Sequence, residues 1–269
     1  MKPIYLMKNN FFYFVIFILL ASCGPSDDSM DPEVVPEDFN IQLSATNTAV
    51  VDEVVPVMIN SSKPMASLTI SFDNFQTSTT AFSDQGSSQT RFFKFDKLGM
   101  NSTVYFRAKD EDGNEFDTTY TPNISRGNSV KINQIKINSF AGIDTTLDPE
   151  FPETDPNRLA DVFFVLLKPG VDIRNGDVNG ANEWYRSPVK QNQGDLTWDL
   201  TNAELYINPE FRILYTMADD DGNFVQDLMQ APPFEREFRL SDFADTRPSE
   251  VTLSVPSIDL EVVFTVDWN

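Results

Sequence analysis

Along the chain, Val, Ile, Thr, Phe and Tyr recur in short runs separated by clusters of turn-forming residues. The runs include Phe39–Ser44, Val54–Ile59, Leu68–Phe72, Arg91–Phe95, Thr103–Ala108 and Val130–Ile137. They continue through Val162–Leu167, Phe211–Met217, Val251–Val255 and Leu260–Val266. β-Branched and aromatic side chains suit a pleated, half-buried surface, so each run predicts a strand. No window carries a 3.6-residue apolar repeat of helical length, so the pattern predicts an all-β chain. A strand roughly every 8–12 residues is the rhythm of antiparallel sandwiches.

The pattern changes character near the start. Lys2 and Lys8 precede an apolar run of 11 residues, Phe11 to Ala21, which is too short to span a bilayer as a helix. A positive start, a short apolar stretch and small residues ahead of Cys23 together read as a secretory signal over residues 1–22. Gly24 to Asp38 then holds six acids and three prolines with no base and no aromatic. That composition predicts a solvated, self-repelling tether, so residues 23–38 are read as Cys23 and its tether. A further boundary is expected near Ser125–Ser129, because Trp184, Trp198 and Trp268 all lie beyond it. The expected architecture is two antiparallel β-sandwiches, residues 39–126 and 127–269.

Charge and composition narrow the chemistry. The chain of 269 residues has 41 acidic and 20 basic side chains, a net charge of −21, no histidine and one cysteine. Without His there is no Ser-His-Asp or Cys-His pair and no His-ligated zinc. One Cys allows no internal disulfide or two-thiol redox motif. So negative a chain lacks the Lys and Arg that would neutralise nucleic-acid phosphates or anionic headgroups. No residue pattern selects a catalytic pair among so many carboxylates, so the chain is read as a non-enzyme.

Carboxylates do recur in one pattern. Asp155 and Asp161 are six apart, and Asp161 leads directly into a predicted strand. The strand Phe211–Met217 runs into Asp219-Asp220-Asp221-Gly222-Asn223, with Asp227 six beyond Asp221. Two such loops at one end of a sandwich bring hard oxygen ligands together, which suits Ca²⁺ rather than zinc or copper. A solvated hairpin turn explains Asp-x-Asp-Gly-Asn equally well, and Asp110–Asn114 repeats that string.

Several segments resemble known families. Leu20-Ala21-Ser22-Cys23 resembles the lipobox of bacterial lipoproteins, which implies cleavage before Cys23 and its acylation. Ser26-Asp27-Asp28 resembles the acidic export signal of Bacteroidota-type surface lipoproteins. It implies the outer face of the outer membrane, and a plain acidic linker would leave the periplasmic face as the alternative. Residues 39–126 resemble immunoglobulin-like or PKD-like domains, chiefly through Val104–Asn114, without a Cys…Trp…Cys core. The two Asp loops, with Trp198 between them, resemble the calcium loops of the C-two domain of synaptotagmins and protein kinase C. This implies an eight-stranded sandwich with Asp155, Asp161, Asp219, Asp221 and Asp227 as calcium ligands. Asp161-Val162-Phe163 replaces that family's Asp-Pro-Tyr, and its basic lipid-binding strand is missing.

The expected function is a membrane-anchored, non-enzymatic binding or scaffolding module, calcium-dependent if the loops are filled, acting on a protein or glycan partner. One alternative is glycan capture beside an outer-membrane transporter, with Trp184, Tyr185 and Tyr206 as a stacking platform. The other is a structural envelope component without a metal.

Overall fold

The computed structural model describes residues 38–269, apart from Ser78, Asn223 and Ala231. The signal, Cys23 and nearly all of the tether lie outside the described residues. Asp38–Asn269 forms one compact unit. It is all-β, and among the described residues no helix exceeds a four-residue 3-10 turn.

The first part is built on a five-stranded antiparallel sheet. Its strands are β1 (Ile41–Ser44), β3 (Val54–Ser71), β4 (Thr79–Lys94), β5 (Val104–Asp110) and β6 (Glu115–Tyr120). The short parallel pair β2 (Thr48–Val50) and β7 (Asn123–Ser125) accompanies it. Strand β5 shows the pattern at work. Val104, Phe106 and Ala108 point into the core, while Tyr105, Arg107 and Lys109 stay half-buried on the other face. Period-2 alternation makes that division.

Val54–Ile59 and Leu68–Ser71 belong to one strand, the 18-residue β3, and Phe72 follows its end. The polar stretch between them, which contains Pro64, is a break in register rather than a turn. Pairing with β4 jumps from Asn60↔Ser88 to Met65↔Gly86. Proline removes a ladder donor, so a bulge is where a strand tolerates it.

The second part stacks two sheets. One holds β9 (Val162–Val171) and β13 (Arg212–Asp220) at its centre, flanked by β10 (Val178–Arg186), β14 (Val225–Asp227) and β15 (Arg236–Arg239). The other holds β8 (Val130–Ser139) and β17 (Leu260–Asp267), flanked by β11 (Thr197–Asp199), β12 (Leu205–Ile207) and β16 (Glu250–Val255). Their facing side chains make one core, including Ile135, Phe164, Tyr215 and Phe264. A second core, with Val57, Phe93 and Phe106, lies under the first part and also takes in Tyr206.

A buried ion cluster joins the two parts. Asp52, in the turn before β3, is fully enclosed. Its carboxylate accepts from Lys94 Nζ at 2.8 Å, Lys168 Nζ at 2.9 Å and the Asn208 amide at 2.9 Å. Lys168 and Asn208 belong to the second part, so one carboxylate ties the sandwiches together.

Candidate functional site

Strand phase places the most unusual acid. On β13, Ile213, Tyr215, Met217 and Asp219 share the inward face, and Asp219 is fully buried at its end. A carboxylate therefore sits where the sandwich core reaches one of its ends. Its Oδ1 accepts from the Asp161 amide at 2.6 Å, and the Asp220 amide donates to the Asp161 carbonyl at 3.0 Å. Among the described residues, Asp219 Oδ2 has no hydrogen-bond partner.

Three loops surround this point. Asp161 leads into β9, and its Oδ1 accepts from the Asn192 amide at 2.7 Å, which ties in the loop after β10. The β13–β14 turn carries Asp221, whose amide donates to the Phe224 carbonyl at 3.0 Å. Gly222 closes that turn with φ +76°, a left-handed conformation that favours glycine. The long β8–β9 loop is folded back on itself: the Leu147 and Asp148 amides both donate to the Arg158 carbonyl, at 2.8 and 3.1 Å. That hold brings Asp148 against Asp221. Asp148, Glu150, Asp161, Asn192, Asp220 and Asp221 help line a bowl of about 520 Å³.

The charges in the bowl are uncomfortable. The Asp148 carboxyl is pushed up to about 6, first by burial, then by the Asp221 carboxyl bonded to it and the charges of Asp221, Asp219 and Glu150. Burial pushes Asp219 up as well, opposed by the hydrogen bond from the Asp161 amide. Two carboxyls in contact need a proton or a cation between them. Among the described residues, no three carboxylates close on a single point. Asp148, Asp161 and Asp221 line the bowl while the buried Asp219 is not among its lining residues, and a cation taking six to eight oxygens would complete its shell with water or draw the loops inward to reach Asp219.

A pH dependence follows. A carboxyl raised on folding contributes stability that is complete below its unfolded value, near 3.8, and is lost as pH rises through about 6. In chelator the protein should therefore melt higher at pH 5 than at pH 7.5. The Asp148→Asn variant should lose much of that difference. Carboxylates held below their ordinary range, such as Asp73 and Asp117, lose their contribution only at lower pH, outside this window.

Of the five predicted ligands, Asp161, Asp219 and Asp221 come together. Asp155 instead caps a 3-10 turn, accepting from the Asn157 amide at 2.9 Å. Asp227 is exposed and accepts from the Met229 amide at 2.6 Å. Asp148, Asp220 and Asn192 join the site without having been expected. Asp148 had a faint signal: it opens the Pro-rich segment ahead of Asp155. Trp198 is a buried core residue on β11, edge-on to Phe164, its Nε1 donating to the Pro188 carbonyl at 2.8 Å. The aromatic platform does not assemble. Tyr185 packs on Phe164 with ring centroids 5.9 Å apart, and Tyr206 is buried in the core of the first part.

No protein-family model matches the chain, and no curated protein matches it.

Proposed function

We propose that this protein is an exported, lipid-anchored binding or scaffolding module whose working end is the acidic bowl, and that the bowl holds a calcium ion. The observation that carries the reading is Asp219, a fully buried carboxylate with one unpartnered oxygen among three other acids. Burying a charge without a partner is costly, and a divalent cation removes the cost. Asp148, Asp161, Asp219 and Asp221 are the side chains that would hold it. Calcium would supply neutralisation of the bowl and a fixed arrangement of its three loops. The resemblance of the Asp loops to a C-two sandwich agrees with this reading, and so does the all-oxygen donor set.

The anchor reading rests on Leu20–Cys23 and the acidic tether. Each buried methylene contributes ~0.8 kcal/mol, so the two or three acyl chains of a lipoprotein hold firmly where one is marginal. The outer membrane is the proposed location, outward-facing, with an unidentified protein or glycan as partner. Cys23→Ser should move the protein from the membrane fraction to the soluble fraction; unchanged partitioning would refute the anchor.

Calorimetric titration of Ca²⁺ into residues 24–269 tests the bowl. One saturable event is expected. Asp219→Asn should abolish it, since the amide oxygen still accepts from the Asp161 amide while the charge is gone. No heat in the wild type, or the same heat in the variant, would contradict the assignment.

A further inference from the structure

A second concavity lies between the two parts, at the opposite end of β9 from the bowl. It measures about 340 Å³, within the range of small-molecule sites. The buried ion cluster forms its floor. Lys94 and Lys168 share Asp52, and Lys168 Nζ also lies 3.2 Å from Asp96 Oδ2. Three aromatic residues line it: Phe95, which is buried, and the more open Phe72 from the first part and Trp184 from the second.

Both open aromatics are held in place by unusual backbone. Along β10, pairing steps from Glu183↔Leu167 to Tyr185↔Leu166, so Trp184 is the extra residue of a β-bulge. Bulges re-aim side chains, and here the indole meets Lys168, whose Nζ lies 4.5 Å from the ring centroid. Phe72 is 63% exposed, yet its loop is locked. The Asp73 carboxylate accepts from Ser71 Oγ at 2.7 Å, from the Gln76 and Thr77 amides at 3.0 and 2.9 Å, and from Thr77 Oγ1. Phe72 meets the core only edge-on, at Phe93 with ring centroids 6.0 Å apart, and leaves most of its ring in water. That ring surface can meet a ligand.

The floor says what kind. Two ammonium groups offer six N–H donors, and the described residues give them two hydrogen bonds, both to Asp52, and one further ion-pair contact, to Asp96. Asp96 is about a third exposed and keeps an acceptor oxygen toward the cleft. Asn182 adds an amide to the lining. The two lysines and two aspartates balance in charge, and the third lining acid, Glu183, is paired with Arg186, so an ionic ligand would leave one charge uncompensated. Hydroxyls both donate and accept without adding charge. A pyranose ring also has an apolar face for an indole or a phenyl ring.

We propose that this cleft binds a neutral saccharide, one ring lying between Phe72 and Trp184 with its hydroxyls toward Lys94, Lys168 and Asp96. The site is separate from the acidic bowl and needs no cation.

Affinity electrophoresis in chelator tests it, with starch, mixed-linkage β-glucan, xylan and galactomannan cast separately in native gels and alginate as an acidic comparator. The protein should be retarded by at least one neutral polymer, and the free oligosaccharide of that polymer should shift its tryptophan fluorescence. Phe72→Ala, at a position 63% exposed, should weaken retardation tenfold or more while circular dichroism shows the protein still folded. Phe224→Ala, at an exposed aromatic of the β13–β14 turn, should leave retardation intact and so excludes general stickiness. Passage through all four neutral gels unretarded, retardation by alginate alone, or full retardation of Phe72→Ala would each overturn the proposal.

Discussion

Replacing Asp52 with Ala should cost about 3–5 kcal/mol, because it leaves two buried ammonium groups without their shared carboxylate. Lys94 and Lys168 side chains are 7% and 8% exposed, and the Asp52 side chain is not exposed at all. Burial already pushes the Lys94 pKa down, against the pull of Asp52 in the other direction. Removing Asp52 removes that pull and strands the Asn208 amide as well. A lysine whose folded pKa lies below its unfolded value destabilises the fold while it is charged. The variant should therefore regain stability as pH rises through the folded pKa toward the ordinary lysine value. Urea unfolding at pH 7 and pH 9.5 measures both effects. A loss below about 1 kcal/mol, the worth of an exposed ion pair, would mean that the cluster does not join the sandwiches.

Phe164→Ala should be comparably severe. Phe164 is fully buried in the core of the second part. Its ring meets Trp198 edge-on at 5.1 Å and lies 5.9 Å from both Tyr185 and Tyr215. Phe-to-Ala changes in cores cost about 3–5 kcal/mol through lost transfer energy and the cavity left behind. The Phe164 amide and carbonyl are also paired with Ser187, at 2.9 and 3.0 Å, and these bonds survive the change. Unfolding followed by tryptophan fluorescence reports the loss. Phe224→Ala, at a position 64% exposed, should fall within about 0.5 kcal/mol of wild type. Equal effects at the two positions would contradict the core described here.

The all-β class was legible because the runs that build both cores keep their strand signature in the sequence. Val104–Ala108 and Phe211–Met217 alternate or cluster as strands must. The polar half of β4 was not legible. Thr79–Thr90 is largely exposed and rich in Ser, Thr and Gln, so no apolar pattern marks it; its pairing with β3 is what makes it a strand. The join between the sandwiches was equally hidden, since Asp52, Lys94 and Lys168 are far apart in the chain and carry no spacing.

At the acidic end, Asp161, Asp219 and Asp221 were legible because each is fixed by a strand end, and strand ends are readable. Asp155 and Asp227 share the same spacing but sit where local geometry takes their carboxylates: the Asn157 amide claims one, and the Met229 amide the other. Asp148 depends on a loop folding back onto Arg158, a contact no local pattern announces. Its pKa near 6 then follows from what the fold brings against it.

The measurement that bears most directly on this account is thermal unfolding of residues 24–269 in chelator, then with Ca²⁺ stepped from micromolar to ~10 mM beside a Mg²⁺ series. A ligand bound only by the folded state stabilises by RT ln(1 + [L]/Kd). With a Kd of about 10⁻⁴–10⁻³ M, the range of extracellular calcium sites, 10 mM should add roughly 1.4–2.7 kcal/mol. The account predicts a Ca²⁺-selective rise at pH 7.5 that disappears in Asp221→Asn. A flat response, or an equal rise in the variant, would contradict it and leave the acidic bowl a solvated surface.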